Sequence, residues 1–196
     1  MTATLPEAAV ATTSLREVAH GLPVPEGYRV EIIGGVIVVT PAPAGKHGRI
    51  VRQLGRALER DLPEGYDFEV NLGVDKAPGS DDYAIPDLFV APVATLDTWA
   101  STVPSLEVVF TAEVVSKSSQ TIDRVAKRKQ YAVAGIPLYL LVDPFAEEIT
   151  LFSDPSHGEY RARHTVPWGD KLQLPEPLPA LLDSSLFPSL DGRPQP

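Results

Sequence analysis

The sequence predicts a mixed α/β fold, a mixed β-sheet flanked by helices with an N-terminal β-hairpin, and three observations carry that prediction. Two β-branched runs are divided by Gly34-Gly35. Three later runs, at 87–91, 106–115 and 137–143, are too apolar to keep one face in water, so they read as central strands covered on both sides. Two stretches with helical spacing, 46–60 and 120–134, alternate irregularly with these strands, which places helices beside a mixed sheet. At 196 residues, 43% hydrophobic and 22% charged, the chain is long enough for one domain with a substantial core.

The first element follows residues 1–12, an Ala-, Thr- and Pro-rich stretch expected to be poorly ordered. Ser14-Leu15-Arg16-Glu17 is a capping box that opens a short helix ending near Gly21. Residues 28–33 and 36–40 form a hairpin, because Gly34-Gly35 supplies the positive φ that a two-residue turn demands. In the 46–60 helix, Ile50, Val51, Leu54, Ala57 and Leu58 fall on one side and Arg49, Arg52, Arg56 and Arg60 on the other. Two readings of that basic face stand, a solvated surface and a surface that meets phosphate.

Residues 67–74 read as a strand and 75–83 as a polar loop rich in turn formers. Strands at 87–91 and 106–115 follow. The 120–134 helix is expected to bury Ile122, Val125, Ala126 and Val133 and to stop at Gly135. Residues 137–143 form another buried strand. Two shorter antiparallel strands, 148–152 and 159–164, are expected around an Asp154-Pro155 turn, and one more near Leu172. Residues 13–170 are read as a single domain and 171–196 as a Pro-rich C-terminal segment.

Composition narrows the chemistry. Cysteine is absent, which excludes disulfide scaffolds and thiolate zinc sites and leaves carboxylates with His20, His47, His157 and His164 as side-chain ligands. A hard-cation site is therefore the favoured kind. No phosphate-loop, dinucleotide fingerprint or Gly-x-Ser-x-Gly motif occurs. The apolar runs fall short of a membrane span and the N-terminus lacks a basic start, so a cytoplasmic location without membrane contact is expected. The net charge of −9 argues against an extended nucleic-acid coat but permits a local site, since basic residues cluster at 46–60 and 124–129.

Five residues stand out as carriers of chemistry. Asp87 heads its strand directly after Pro86, as a turn residue would and as a metal-binding carboxylate at a sheet edge would. Glu113 lies inside the apolar run 106–115, where a carboxylate needs a paired cation, hydrogen-bond donors or a bound metal. Two carboxylates that converge on a cation suit Mg²⁺ or Mn²⁺. Asp123, Lys127 and Tyr131 are spaced by four along one helical face, consistent with a surface ion pair or with a lysine that reaches Glu113.

Pro86-Asp87-Leu88-Phe89-Val90, Glu113-Val114-Val115-Ser116-Lys117-Ser118-Ser119, Asp123-Arg124-Val125-Ala126-Lys127, Tyr131 to Pro137 and Tyr139 to Pro144 together resemble the Uma-two family of putative restriction endonucleases. Tyr28 to Ile33 before Gly35, and His47 with Ile50-Val51, resemble that family's N-terminal half, so the likeness spans roughly residues 15–165. The family sits in the PD-(D/E)XK nuclease superfamily. The resemblance implies a restriction-endonuclease-like fold and a metal-dependent DNA endonuclease using Mg²⁺ or Mn²⁺, with Asp87 and Glu113 as metal-binding carboxylates and the Val114 carbonyl as a further ligand.

The superfamily lysine, normally two residues after the Glu, is Val115 here, and the family's lysine on the following helix maps onto Lys127. Lys117, in a Ser116-Lys117-Ser118 stretch where the family has Ser-Pro-Ser, is a rival for the catalytic amine. Gly34 and Val36 replace an Asp and an acidic residue usual at the hairpin turn. Glu31, His47, Ser116, Asp123 and Tyr131 are supporting candidates. DNA is the implied partner and a homodimer is compatible with cutting both strands. A catalytically inactive nuclease-fold module that binds nucleic acid or protein is the alternative.

Overall fold

The computed structural model describes residues 13–41 and 45–188. The N-terminal segment 1–12, expected to be poorly ordered, lies outside the described residues. The chain runs α1 (Leu15–His20), β1 (Tyr28–Ile33), β2 (Val36–Pro41), α2 (Gly45–Glu59), β3 (Tyr66–Glu69), β4 (Gly73–Asp75), β5 (Tyr83–Ala84), β6 (Leu88–Pro92) and α3 (Val93–Leu96). It continues with β7 (Thr102–Pro104), β8 (Phe110–Val114), a π-helical turn (Ile122–Lys127) leading into α4 (Arg128–Val133), β9 (Leu138–Asp143), β10 (Glu148–Ser156), β11 (Glu159–Pro167), β12 (Lys171–Gln173) and β13 (Leu181–Asp183).

The central sheet has six strands in the order β11-β10-β9-β8-β6-β3. Its β8–β9 pair is parallel and its other pairs are antiparallel. Side-chain alternation divides its two faces. Leu88 and Val90 of β6, with Phe110, Ala112 and Val114 of β8, pack beneath α2 and its Ile50, Leu54 and Leu58. Phe89 and Ala91 point the other way, toward Tyr131 of α4 and Ala134 just after it and toward Ile33 and Val74. The latter belong to a second sheet of five strands, β2-β1-β5-β4-β7, whose outer face is covered by α1 through Ala19, Ile32 and Tyr83.

The N-terminal expectations hold closely. Ser14 and Glu17 form the reciprocal capping box on α1. The hairpin turns through Gly34 and Gly35 at φ 61° and 76°, values that strain any side chain. Asp82 accepts the Gly35 N–H at 2.9 Å and ion-pairs with Lys76, while the Gln130 amide accepts from Gly34, so the turn is pinned against α4. Gly135 ends α4 at φ 75°, with Ile136 N–H reaching the Tyr131 carbonyl and Gly135 N–H that of Ala132, a Schellman motif.

Several expectations are corrected. The strand read across 67–74 is two strands in different sheets, β3 and β4, because Asn71 adopts φ 63° where the chain crosses between them. The run 106–115 begins as a 3₁₀ turn at Ser105–Glu107 with Leu106 in solvent, and only Phe110–Val114 is strand. The turn between β10 and β11 falls at His157-Gly158, with φ 52° and 79°, whereas Asp154 and Pro155 lie inside β10. Val125 and Val133 are exposed, and the buried residues of the 120–134 helix are Asp123, Lys127, Gln130, Tyr131, Ala132 and Ala134. Asp123 and Lys127 line a polar cleft, whereas Tyr131 and Ala134 pack into the apolar cluster below it.

The C-terminal segment forms a hairpin of two strands, β12 and β13, where one was expected near Leu172. Leu172, Leu174, Leu178, Ala180, Leu182 and Phe187 join the core on the α2 side of the central sheet.

Gly55 of α2 lies against the Phe68 ring, and a Cβ there would approach two ring carbons at 2.9 Å. Gly55→Leu is expected to destabilise the fold by about 1–3 kcal/mol, overpacking outweighing the gain in helix propensity. Urea unfolding checks this; an unchanged midpoint would mean that Phe68 moves aside freely.

Candidate active site

The apolar alternation of β6 and β8 fixes where the carboxylates fall. Asp87 immediately precedes β6, and its Oδ2 accepts the Val114 N–H at 2.9 Å across the sheet. Glu113, one residue before Val114 in the neighbouring strand, is thereby brought beside Asp87 at the sheet edge. β1 supplies Glu31 and Arg29, two residues apart and so on one face of that strand. The π-helical turn ending at Lys127 delivers an ammonium from the opposite side, a local widening common at functional positions.

Lys127 Nζ lies 3.0 Å from Glu113 Oε1 and 2.9 Å from Glu31 Oε1, and donates to the Ile85 carbonyl at 3.3 Å. Glu31 Oε1 also accepts the Ile85 N–H at 2.7 Å, so β1, the residue before Pro86 and the helix are tied through one carboxylate. Tyr131 donates its hydroxyl to Glu113 Oε1 at 2.6 Å. Asp87 is held by His47 Nε2 at 2.9 Å on Oδ2 and by Arg29 at 3.2 Å on Oδ1. Asp123 accepts from the Ser119 hydroxyl, whose oxygen is 2.8 Å from that of Ser116.

Glu31, Asp87, Glu113, Asp123 and Lys127 are all buried. Four carboxylates around one ammonium set the electrostatics. Burial drives Glu113 well above the carboxylate range; Lys127 opposes this, and the charges of Asp87, Asp123 and Glu31 add to it. Burial alone would lower Lys127, but Glu113 first, then Glu31, Asp123 and Asp87, hold it well above the usual lysine range and therefore charged. Burial also pushes Asp87 upward, yet the His47 hydrogen bond and charge, Lys127 and the Val114 N–H outweigh it, so Asp87 titrates below the ordinary value. Asp123 is pushed up to about 6, chiefly by burial.

Because Asp123 binds its proton more tightly folded than unfolded, its ionisation weakens the fold. Stability should fall as pH rises from about 4 to about 6 in chelator-treated protein, by up to about 3 kcal/mol from this group. Asp123→Asn is expected to flatten that slope. Parallel pH-dependent urea curves for the two proteins would contradict it.

The residues singled out in the sequence divide cleanly. Asp87, Glu113, Val114, Glu31, His47, Ser116, Asp123 and Lys127 line one cleft of about 40 Å³, room for a few waters or a partly hydrated ion. Tyr131 stands behind Glu113. Lys117 is exposed and outside the cleft lining. Arg29 and Ser119, which also line the cleft, were not picked out as site residues; the i, i+2 spacing of Arg29 to Glu31 and the four-residue spacing of Ser119 to Asp123 were the available signals.

Among the described residues, no group of three or more His, Asp or Glu side chains is arranged to hold a metal ion. Asp87 and Glu113 nonetheless bring two carboxylates to one sheet edge, a donor chemistry that suits Mg²⁺, a cation often held by one or two carboxylates with water completing its shell. The burial that penalises a charged Glu113 is also a penalty that a divalent cation relieves. The donor chemistry fits a hard cation.

The family described as "Putative restriction endonuclease", Uma2, matches residues 16–186, and the chain belongs to that family. Its fold is similar to the crystal structure of a putative nuclease belonging to DUF820 from Anabaena variabilis ATCC 29413, with a TM-score of 0.63 at 18% identity over 86% of this chain and 90% of that one. No curated protein matches. The restriction-endonuclease-like fold expected from the sequence is thereby borne out.

Proposed function

We propose that this protein is a divalent-metal-dependent endonuclease that hydrolyses DNA phosphodiester bonds at a PD-(D/E)XK-type site with its lysine on a helix. The observation that carries the reading is the convergence of Lys127 on Glu113 at 3.0 Å, with Asp87 bonded to the adjacent Val114 N–H. Asp87, Glu113 and the Val114 carbonyl would hold Mg²⁺ or Mn²⁺, as restriction-endonuclease-like enzymes generally do. When bound, the metal polarises phosphoryl oxygens and acidifies its water.

The chain's own side chains do the positioning. Lys127, kept charged between Glu113 and Glu31, lines the cleft and sets a positive charge beside the place where negative charge builds up on the phosphate oxygens. Tyr131 fixes the Glu113 carboxylate. His47 and Arg29 orient Asp87, and the Arg29 guanidinium adds positive charge at the cleft rim. Ser116 and Ser119 hold Asp123, which contributes to the field on Lys127. Lys117 has no part in this arrangement. A homodimer would present two such sites to the two strands.

Both oxygens of Asp87 are engaged by protein donors, and that favours a second reading, a nuclease-fold module that binds nucleic acid without cutting it. Incubating the purified protein with plasmid DNA in Mg²⁺, in Mn²⁺ and in chelator separates the two. Cleavage in either metal that stops in chelator supports the endonuclease; DNA binding with no cleavage in any condition supports the binding module.

A further inference from the structure

A second and much larger concavity, of about 570 Å³, opens beside the catalytic cleft and shares Arg29, His47 and Asp87 with it. One wall is the α2 face that carries Gly48, Val51, Arg52, Gly55, Arg56 and Glu59. The floor is apolar, made by Val51, Phe68 and Val70. The rim is cationic: Arg52 and Arg56 are exposed and make no ion pair among the described residues, in a chain whose net charge is −9. Gly48 and Gly55, two helical turns apart, keep side chains off this wall.

We infer that this groove receives an unpaired DNA nucleotide next to the scissile phosphate, its base unstacked onto the Val51-Phe68-Val70 floor and its backbone phosphate between Arg52 and Arg56. The inference rests on the nuclease reading only for the position of the scissile phosphate. A duplex could touch the rim with its backbone, but a stacked and paired base keeps its faces within the helix and cannot reach a recessed floor. An unstacked base offers one face to an aromatic and apolar surface. Glu59, twelve residues and about 18 Å along α2 from His47, closes the far end with a charge that repels further phosphates.

Fluorescence anisotropy of the full chain in chelator, with a labelled single-stranded DNA oligonucleotide and with its duplex, tests the groove apart from the chemistry. Wild type is expected to bind the single strand roughly tenfold more tightly. Arg52→Ala/Arg56→Ala should weaken single-strand binding and reduce the slope of log affinity against log salt by about 1.4. Gly48→Leu adds bulk where a Cβ meets only the end of Arg52 at 3.9 Å, and it improves helix propensity, so it should fold as well as wild type yet bind single strands roughly tenfold less tightly.

Wild-type affinity and salt slope in both variants, or a preference for duplex, would overturn the inference. Weakened binding in both variants together with a wild type that never cleaves would support the groove while defeating the endonuclease reading. Cleavage by wild type with no effect of either variant on single-strand affinity would do the reverse.

Discussion

Glu113→Gln and Asp87→Asn are each expected to lower metal-dependent DNA cleavage by about a thousandfold or more, while leaving the fold intact. Both changes keep side-chain volume and an acceptor oxygen, so Tyr131 and Lys127 retain a partner at position 113 and the Val114 N–H retains one at position 87. What disappears is the negative charge that would hold a cation at the sheet edge. A loss of that size corresponds to about 4 kcal/mol of transition-state stabilisation, within the several kcal/mol that metal polarisation of a phosphoryl group supplies. A circular dichroism spectrum near wild type is part of the expected result for both, with the urea midpoint lowered in Asp87→Asn, which loses the charge that His47 and Lys127 favour. Full activity in either variant would remove that carboxylate from the mechanism.

Lys127→Met should strike both stability and activity. The side chain is 4% exposed and neutralises Glu31 and Glu113 directly, so its loss leaves buried carboxylates with no cation beside them. Breaking a buried pair in this way costs about 3–5 kcal/mol. The sign of the pH dependence follows from the Lys127 charge, which favours the ionised forms of Glu113, Asp123 and Asp87. Without it these acids hold protons more tightly in the folded state, so the deficit should be greatest near neutrality and shrink as pH falls. Lys117→Ala, on an exposed residue, should change neither stability nor cleavage. Loss of cleavage in Lys117→Ala with a fully active Lys127→Met would reverse the assignment of the amine.

Much of the fold is legible from local patterning, because the elements that position the site obey it. The Gly34-Gly35 turn, the capping box at Ser14 and the both-sides-buried strands β6, β8 and β9 follow from φ preferences and hydrophobic period alone. The break at Asn71 does not, since tertiary pairing decides that β3 and β4 join different sheets. The buried face of the 120–134 helix departs from its hydrophobic period for a physical reason. Hydrophobic periodicity assigns polar positions to water, whereas Asp123, Lys127 and Gln130 are turned inward toward other polar groups.

The same fact explains what could be seen of the site. Glu113 was conspicuous because a carboxylate in an apolar strand demands a partner, and Lys127 and Tyr131 are that partner. Arg29 passed unnoticed as one polar residue in an alternating strand, although it lies on the Glu31 face and reaches Asp87. Ser119 precedes the expected 120–134 helix, and its hydroxyl donates to Asp123 four residues further on.

The most direct test of the two-carboxylate site is a calorimetric titration of Mn²⁺ into chelator-stripped wild type, Asp87→Asn and Glu113→Gln. Saturable binding in wild type, lost or severely weakened in both variants while the circular dichroism spectrum stays that of the folded protein, is the predicted result. Identical titrations in all three proteins, or no heat in wild type alongside undiminished DNA cleavage, would contradict a shared cation at Asp87 and Glu113.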